Sequence, residues 1–252
     1  MTLWEELNWP QHKKMAEGGA TVVLPFAAIE QHGPHNPVVV DTLLVTSVCK
    51  RAVEDLPNVV LAPTMWAGMS LHHADYAGTL TLSLETFLAV VRDLIRSVHR
   101  AGYKKILLVN GHGGNNAPLQ SALVPLRYEL GIEMWLITYF HLGNEVAAKL
   151  RKSEIGGMGH SGEFETAMML HLRPDLVDMT AAVKNLNVPK HPLMVRDMHH
   201  RGVLMRPSDF NRNRAPSGVS GDPTVADAAI GAQFFEATAA RLREVVQALA
   251  AQ

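Results

Sequence analysis

Short β-branched runs alternate along this chain with longer stretches of helical period. "TVVLPF" (21–26), "NVVLAP" (58–63), "KKILLVN" (104–110) and "IEMWLITYF" (132–140) are mostly apolar, the pattern of strands buried on both faces. Between them, segments 41–56, 83–102 and 116–131 read as helices. In 83–102, Phe87, Val90, Val91, Leu94, Ile95 and Val98 fall at helical spacing, with Ser83 as N-cap and Gly102 as stop. Pro125 is expected to end or kink the helix of 116–131. This β-α-β-α order predicts an α/β fold with a largely parallel sheet covered on both faces.

After residue 140 the pattern loosens. A helix over "GNEVAAKL" runs into the glycine-rich "GGMGH", and "SGEFETAMMLHL" is a further helix. Residues 173–220 are rich in Pro, Arg, His and Asn with little periodicity, and read as a surface excursion or a subunit contact. The last helix is expected to start with Asp222 as cap and Pro223 at its first position. The 252 residues suit one domain spanning 1–252.

Composition narrows the function. Lys plus Arg number 23 against 24 Asp plus Glu, which argues against a general nucleic-acid binder. No apolar run approaches the roughly 18 residues of a membrane helix, and the first residues lack the features of a signal peptide. Cys49 stands alone, excluding an intrachain disulfide and a thiolate zinc site; a cytoplasmic protein is expected.

The chemistry collects where strands end. In a parallel sheet, ligands bind beyond the carboxyl ends of the strands, and "IEQHGPH", "MSLHHADYAGT" and "NGHGGNN" each follow a strand. Glu30 and His32 are two apart and can face the same way in an extended segment. Asp41 opens a helix, and His112 sits among glycines. Alone, Asp41 is a helix cap, Glu30 and His32 are solvated loop residues, and His112 is a turn residue. Their meeting at one sheet edge favours an N/O ligand set suited to Zn²⁺, Mn²⁺ or Fe²⁺. "GHGGNN" is no dinucleotide fingerprint, because Asn116 stands where the third glycine belongs. Glu163 lies in the first turn of its helix, where it serves either the macrodipole or a metal. Glu165, two residues on, points elsewhere, so at most one of the two faces the site.

"LPFAAIEQHGPHNPVVVDT", "SLHHADYAGTLTL", "VNGHGGN", "GHSGEFETAMM" and "SGVSGDPT" together resemble the creatininase (creatinine amidohydrolase) family, in family order from about residue 21 to 225. The resemblance implies a three-layer α/β/α domain, usually a hexamer, and a hydrolase with two divalent ions, zinc with manganese or iron as alternatives. It implies cleavage of a non-peptide, often cyclic, C–N bond of a small molecule by an ion-activated water, with no nucleic-acid or membrane partner. Glu30, His32, Asp41 and His112 match family ligands, Asp41 bridging; Ser70 matches a substrate-contacting serine, and His160 a histidine near the reacting carbonyl. True creatininases carry N-G-H-aromatic-E-N where this chain has Gly113 and Gly114, so Glu163 is expected to supply the missing ligand. They also carry an acidic residue at the position of Gly159, which makes creatinine itself an unexpected substrate. Gly113 leaves room for a flat substrate and His73 is a candidate contact; His35 braces the loop or touches substrate, and His72 lies nearby. His160 is expected to protonate the departing nitrogen. Rival readings are a two-metal hydrolase of another bond, either C–C or a phosphoester gripped by Arg196, Arg201, Arg206, Arg212 and Arg214, and a non-catalytic relative with a structural metal.

Overall fold

The computed structural model describes residues 1–186, 191, 193–200, 203–204 and 215–252. Arg201, Arg206, Arg212 and Arg214 of the phosphoester reading lie outside the described residues. Among the described residues five strands, β1 (Thr2–Leu3), β2 (Thr21–Phe26), β3 (Val59–Leu61), β4 (Lys105–Asn110) and β5 (Glu133–Thr138), pair in the order β1-β3-β2-β4-β5, every pair parallel. The helices are α1 (Trp9–Glu17), α2 (Val40–Val53), α3 (Leu84–Arg100), α4 (Asn116–Leu130), α5 (Asn144–Leu150), α6 (Glu163–Leu172) and α7 (Ala228–Ala250). None of them is long and apolar enough to cross a membrane.

Alternation along the strands divides the interior into two cores. Val22, Leu24 and Phe26 of β2, with Ile106 and Leu108 of β4, pack against α3 and α4 through Phe87, Val91, Ile95, Leu119 and Leu126. Val23, Leu107 and Val109 point the other way, toward Leu44, Val48, Met168, Phe234 and Leu242 of α2, α6 and α7. Side chains of period two on a sheet covered twice give the α/β/α layering that the apolar runs require.

Local chemistry sets the helix ends. Ser83 accepts from the Thr86 N–H at 3.2 Å and starts α3, and Gly102 follows that helix at φ +99°. Pro125 does not end α4, which continues to Leu130 and stops at Gly131 in the left-handed region. The ring sits on the exposed face, where water can take over the carbonyl that loses its N–H partner. Asp222 caps only a short 3₁₀ turn, Pro223–Val225. The long helix begins five residues later at Asp227, which accepts from the Ala229 and Ile230 N–H groups. Helix α1 carries a reciprocal capping box between Asn8 and Gln11.

Candidate metal centre

Because all strands run one way, their carboxyl ends share an edge, and the polar segments collect there. After β2 the chain delivers Glu30 and His32. Asp41 follows in the first turn of α2, with its carboxylate turned inward. After β4, Asn110 clamps the next residue but one: its side chain accepts from the His112 N–H at 3.1 Å and donates to the His112 carbonyl at 2.8 Å. That clamp fixes where the His112 imidazole leaves the sheet.

The Asp41 carboxylate spans two imidazoles. Oδ1 is 3.3 Å from His32 Nε2 and Oδ2 is 3.0 Å from His112 Nδ1. Glu30 Oε2 lies 3.2 Å from His112 Nδ1, and Glu165 Oε1 lies 3.8 Å from His32 Nε2. All five residues are buried, none more than 4% exposed. Backbone carbonyls, which only accept, orient the rings. His32 Nδ1 is 3.1 Å from the Glu30 carbonyl, and His112 Nε2 is 3.3 Å from that of Met69. Each ring in its neutral form therefore carries its hydrogen on the outer nitrogen and aims a bare nitrogen at the carboxylates.

Lone pairs facing buried carboxylates need a positive charge between them. Protons can supply it: burial opposes charging of His112, but Glu30 and Asp41 overcome that and carry its pKa up to about 10. His32 is raised well above the usual imidazole value, Asp41 and Glu165 outweighing its burial. Glu30 is held well below the carboxylate range by His112 beside it, against its own burial. Glu30 Oε2, His32 Nε2 and Asp41 Oδ2 are buried and make no hydrogen bond. Two carboxylate oxygens and an imidazole nitrogen buried without hydrogen-bond partners, beside the Glu165 carboxylate and the His112 ring, are a donor set that fits divalent cations. Glu30, His32 and Asp41 offer ligand atoms within 4.8 Å of one another, as do His32, His160 and Glu165.

One expected ligand is corrected. Glu163 does not face the cluster; its two oxygens accept the Lys152 and Ser153 N–H groups, each at 2.8 Å. It closes the loop before its helix, and its place near the imidazoles is taken by Glu165. Helix phase puts the two side chains on different sides, and Ser161, at φ +54°, turns its N–H onto Glu165 Oε2 at 2.6 Å. The signal for Glu165 was present, since only one of the pair could face inward, but spacing alone could not choose between them.

The other candidates fall as follows. Ser70 is fully buried behind His112, its Oγ 3.2 Å from Nε2, on the ring edge opposite the carboxylates. His73 and His160 both reach the cluster, each with one nitrogen 3.5 Å from Glu30 Oε1. His72, half-buried, stacks on His112 at 5.5 Å between ring centroids. His35 braces: its Nε2 is 2.9 Å from Thr166 Oγ1 on α6. A Cβ at Gly113 would meet nothing within 4 Å, whereas one at Gly114 would overlap His112 Nε2 and the Met69 carbonyl. An acidic side chain at 114 has no room here, consistent with the third carboxylate coming from α6. At Gly159 a Cβ would overlap the Ser220 carbonyl.

A second buried anion secures the loop that leads to His160. Asp197 accepts from Arg151 Nη2 at 2.5 Å and from the Gly156 N–H at 2.8 Å. Beside it, His199 donates through Nδ1 to Asn144 Oδ1 at 3.0 Å and packs its ring on Phe164. Burial pushes the His199 pKa down to about 4, with His141 and Arg151 adding to the effect and Asp197 opposing it. An unfolded histidine titrates near 6.5. The unfolded chain therefore takes up this proton first, and stability falls as pH drops from about 6.5 toward 4. His199→Gln is expected to flatten that part of a plot of urea midpoint against pH; an unchanged slope would count against a buried neutral imidazole.

The chain is similar in sequence and in fold to known proteins of one family. The family model for creatinine amidohydrolase matches residues 5–246. A creatinine amidohydrolase of Pseudomonas putida is 34% identical over 194 residues, covering 71% of this chain and 74% of that protein. A mycofactocin precursor peptide peptidase of Mycobacterium tuberculosis is 30% identical over 241 residues, covering 92% and 86%. A manganese creatininase superposes with a TM-score of 0.82 at 27% identity, covering 98% of both chains. A zinc–zinc form of a creatininase variant gives 0.80 at 27% identity, covering 98% and 97%. With the motifs, the all-parallel layered fold and the buried carboxylate–imidazole cluster in agreement, the chain belongs to the creatininase family.

Proposed function

We propose that this protein is a metal-dependent amidohydrolase that cleaves a non-peptide C–N bond, in a cyclic amide, lactam or formamide. The observation that carries the reading is Asp41, whose two carboxylate oxygens each meet a different imidazole bearing a bare inward nitrogen. That arrangement suits two divalent ions, with His32, Glu165 and Asp41 holding one and His112, Glu30 and Asp41 the other. Zinc or manganese, as in the creatininase structures, fits these N/O donors. When bound, such ions lower the pKa of water and polarise a carbonyl.

The chain's own residues do the rest. Burial pushes His160 down to about 3, so its imidazole rests neutral, and once it carries the proton of the attacking water it is a strong acid toward the departing nitrogen. Open space at Gly113 admits a flat ring. A peptide amide is the second reading, supported by the mycobacterial peptidase relative.

Metal analysis and turnover test both. About two ions per chain are expected, with activity lost on chelation and restored by zinc or manganese. Asp41→Ala is expected to lose both ions and all measurable turnover. A panel of lactams, formamides and short peptides separates the two substrate readings. Full activity in metal-free protein would overturn the mechanism.

A further inference from the structure

Gln31 stands between Glu30 and His32, and its amide is oriented at both ends. Oε1 accepts from the Gly33 N–H at 2.9 Å, and Nε2 donates to the Gly218 carbonyl at 2.9 Å. Exchanging oxygen and nitrogen would set donor against donor and acceptor against acceptor. One N–H of the amide remains. Two imidazole nitrogens lie near it, His73 Nδ1 at 2.9 Å and His160 Nε2 at 3.0 Å. His160 Nε2 is also 2.8 Å from the main-chain carbonyl of Gln31. A carbonyl only accepts, so His160 Nε2 carries a hydrogen and cannot take the amide N–H. The remaining N–H goes to His73 Nδ1, which must then be bare, and the hydrogen of His73 sits on Nε2.

The two rings lie 4.3 Å apart and turn their other nitrogens to the same atom, Glu30 Oε1, each at 3.5 Å. We propose that Gln31 is a positioning residue that makes these neighbouring imidazoles present opposite chemistry to the site, an N–H from His73 and a lone pair from His160. Its side chain sets the first and its backbone the second. His73 is thereby excluded as a metal ligand, which needs a bare nitrogen. It orients Glu30 as a donor and leaves Oε2 to the His112 side. His160 keeps the lone pair that proton transfer needs.

The assignment rests on hydrogen bonds alone; only its effect on turnover rests on the hydrolase reading. Long-range ¹H–¹⁵N correlation on the full chain with labelled histidine, metal-free and zinc-loaded, reads each ring nitrogen directly, with His73→Gln assigning the His73 signals. Hydrogen on Nε2 of both His73 and His160 is expected. Gln31→Met is expected to release His73 into a mixture of tautomers, with His160 unchanged because its anchor is backbone. Gln31→Glu, which puts an acceptor against Nδ1, is expected to move the His73 hydrogen to Nδ1. With metal content retained, kcat of Gln31→Met should fall about 10–100-fold, as for other groups that orient a metal site. Hydrogen on His73 Nδ1 in the unaltered protein would overturn the assignment, even if both variants fail to fold. A shifted tautomer with kcat unchanged would overturn the role in turnover.

Discussion

Glu165→Gln is expected to reduce bound metal from about two ions per chain toward one and to lower turnover by more than about a hundredfold, beyond the usual cost of losing an orienting group. Glu163→Gln is expected to keep both ions. The contrast follows from where each carboxylate is used. Glu165 faces His32 Nε2 at 3.8 Å, and its other oxygen holds the Ser161 N–H. An amide in its place can still accept that hydrogen bond but brings no negative charge to a cation. Burial also raises the Glu165 pKa, so this carboxylate gains most when a cation is present. Glu163 spends both oxygens on backbone N–H groups. Its amide variant sets an NH₂ against one of them, a cost of about 1–3 kcal/mol in stability. Metal analysis and thermal unfolding of the two variants give the answer together. A Glu163→Gln protein that loses an ion while Glu165→Gln keeps two would reverse the ligand assignment.

Gly114→Ala is expected to weaken zinc affinity by at least about 10–100-fold while the protein stays folded. The added methyl would overlap His112 Nε2 and the Met69 carbonyl and crowd His72 Cε1 at 2.9 Å. His112 cannot give way without moving its Nδ1 from Asp41 and Glu30. The overpacking itself is expected to cost about 1–3 kcal/mol. Gly113→Ala is the control, because its methyl enters open space; it should bind zinc normally and discriminate only against bulky substrates. Competition titration with a chromophoric chelator separates the two. Normal affinity in Gly114→Ala would mean that His112 is not held as described.

Much of this arrangement could be read from residue order. The apolar runs of β2 and β4 and the stripe Phe87, Val91, Ile95, Val98 allow few alternatives, because fully covered parallel strands and an amphipathic helix each leave a strong period. Strand ends then placed Glu30, His32, Asp41 and His112 at one edge, where the structure brings them together. What failed depended on phase and on long-range contacts. Glu163 and Glu165 differ by two positions on one helix, and the choice was made by Ser161 and by the Lys152–Ser153 backbone, which spacing does not encode. Asp222 and Asp227 are both competent caps, and only packing of α7 on α6 and α2 selects the second. Gln31 reads as an ordinary polar loop residue, since its partners His73, His160 and Gly218 lie far along the chain. The Asn8–Gln11 box was a local signal for α1 that the apolar pattern, weak in that segment, did not bring forward.

The proposed ligands run from Glu30 to Glu165, about 135 positions apart. Glu165 comes from α6, so no fragment ending before that helix can assemble the full proposed set during synthesis. Cation capture would therefore select chains in which β2 and α6 have already docked, and would drain the population of open forms by mass action. On the proposed ligand set, a bound metal would report completed assembly. Trace-metal supply should then govern how much protein survives proteolysis in the cell, quite apart from how fast each molecule turns over.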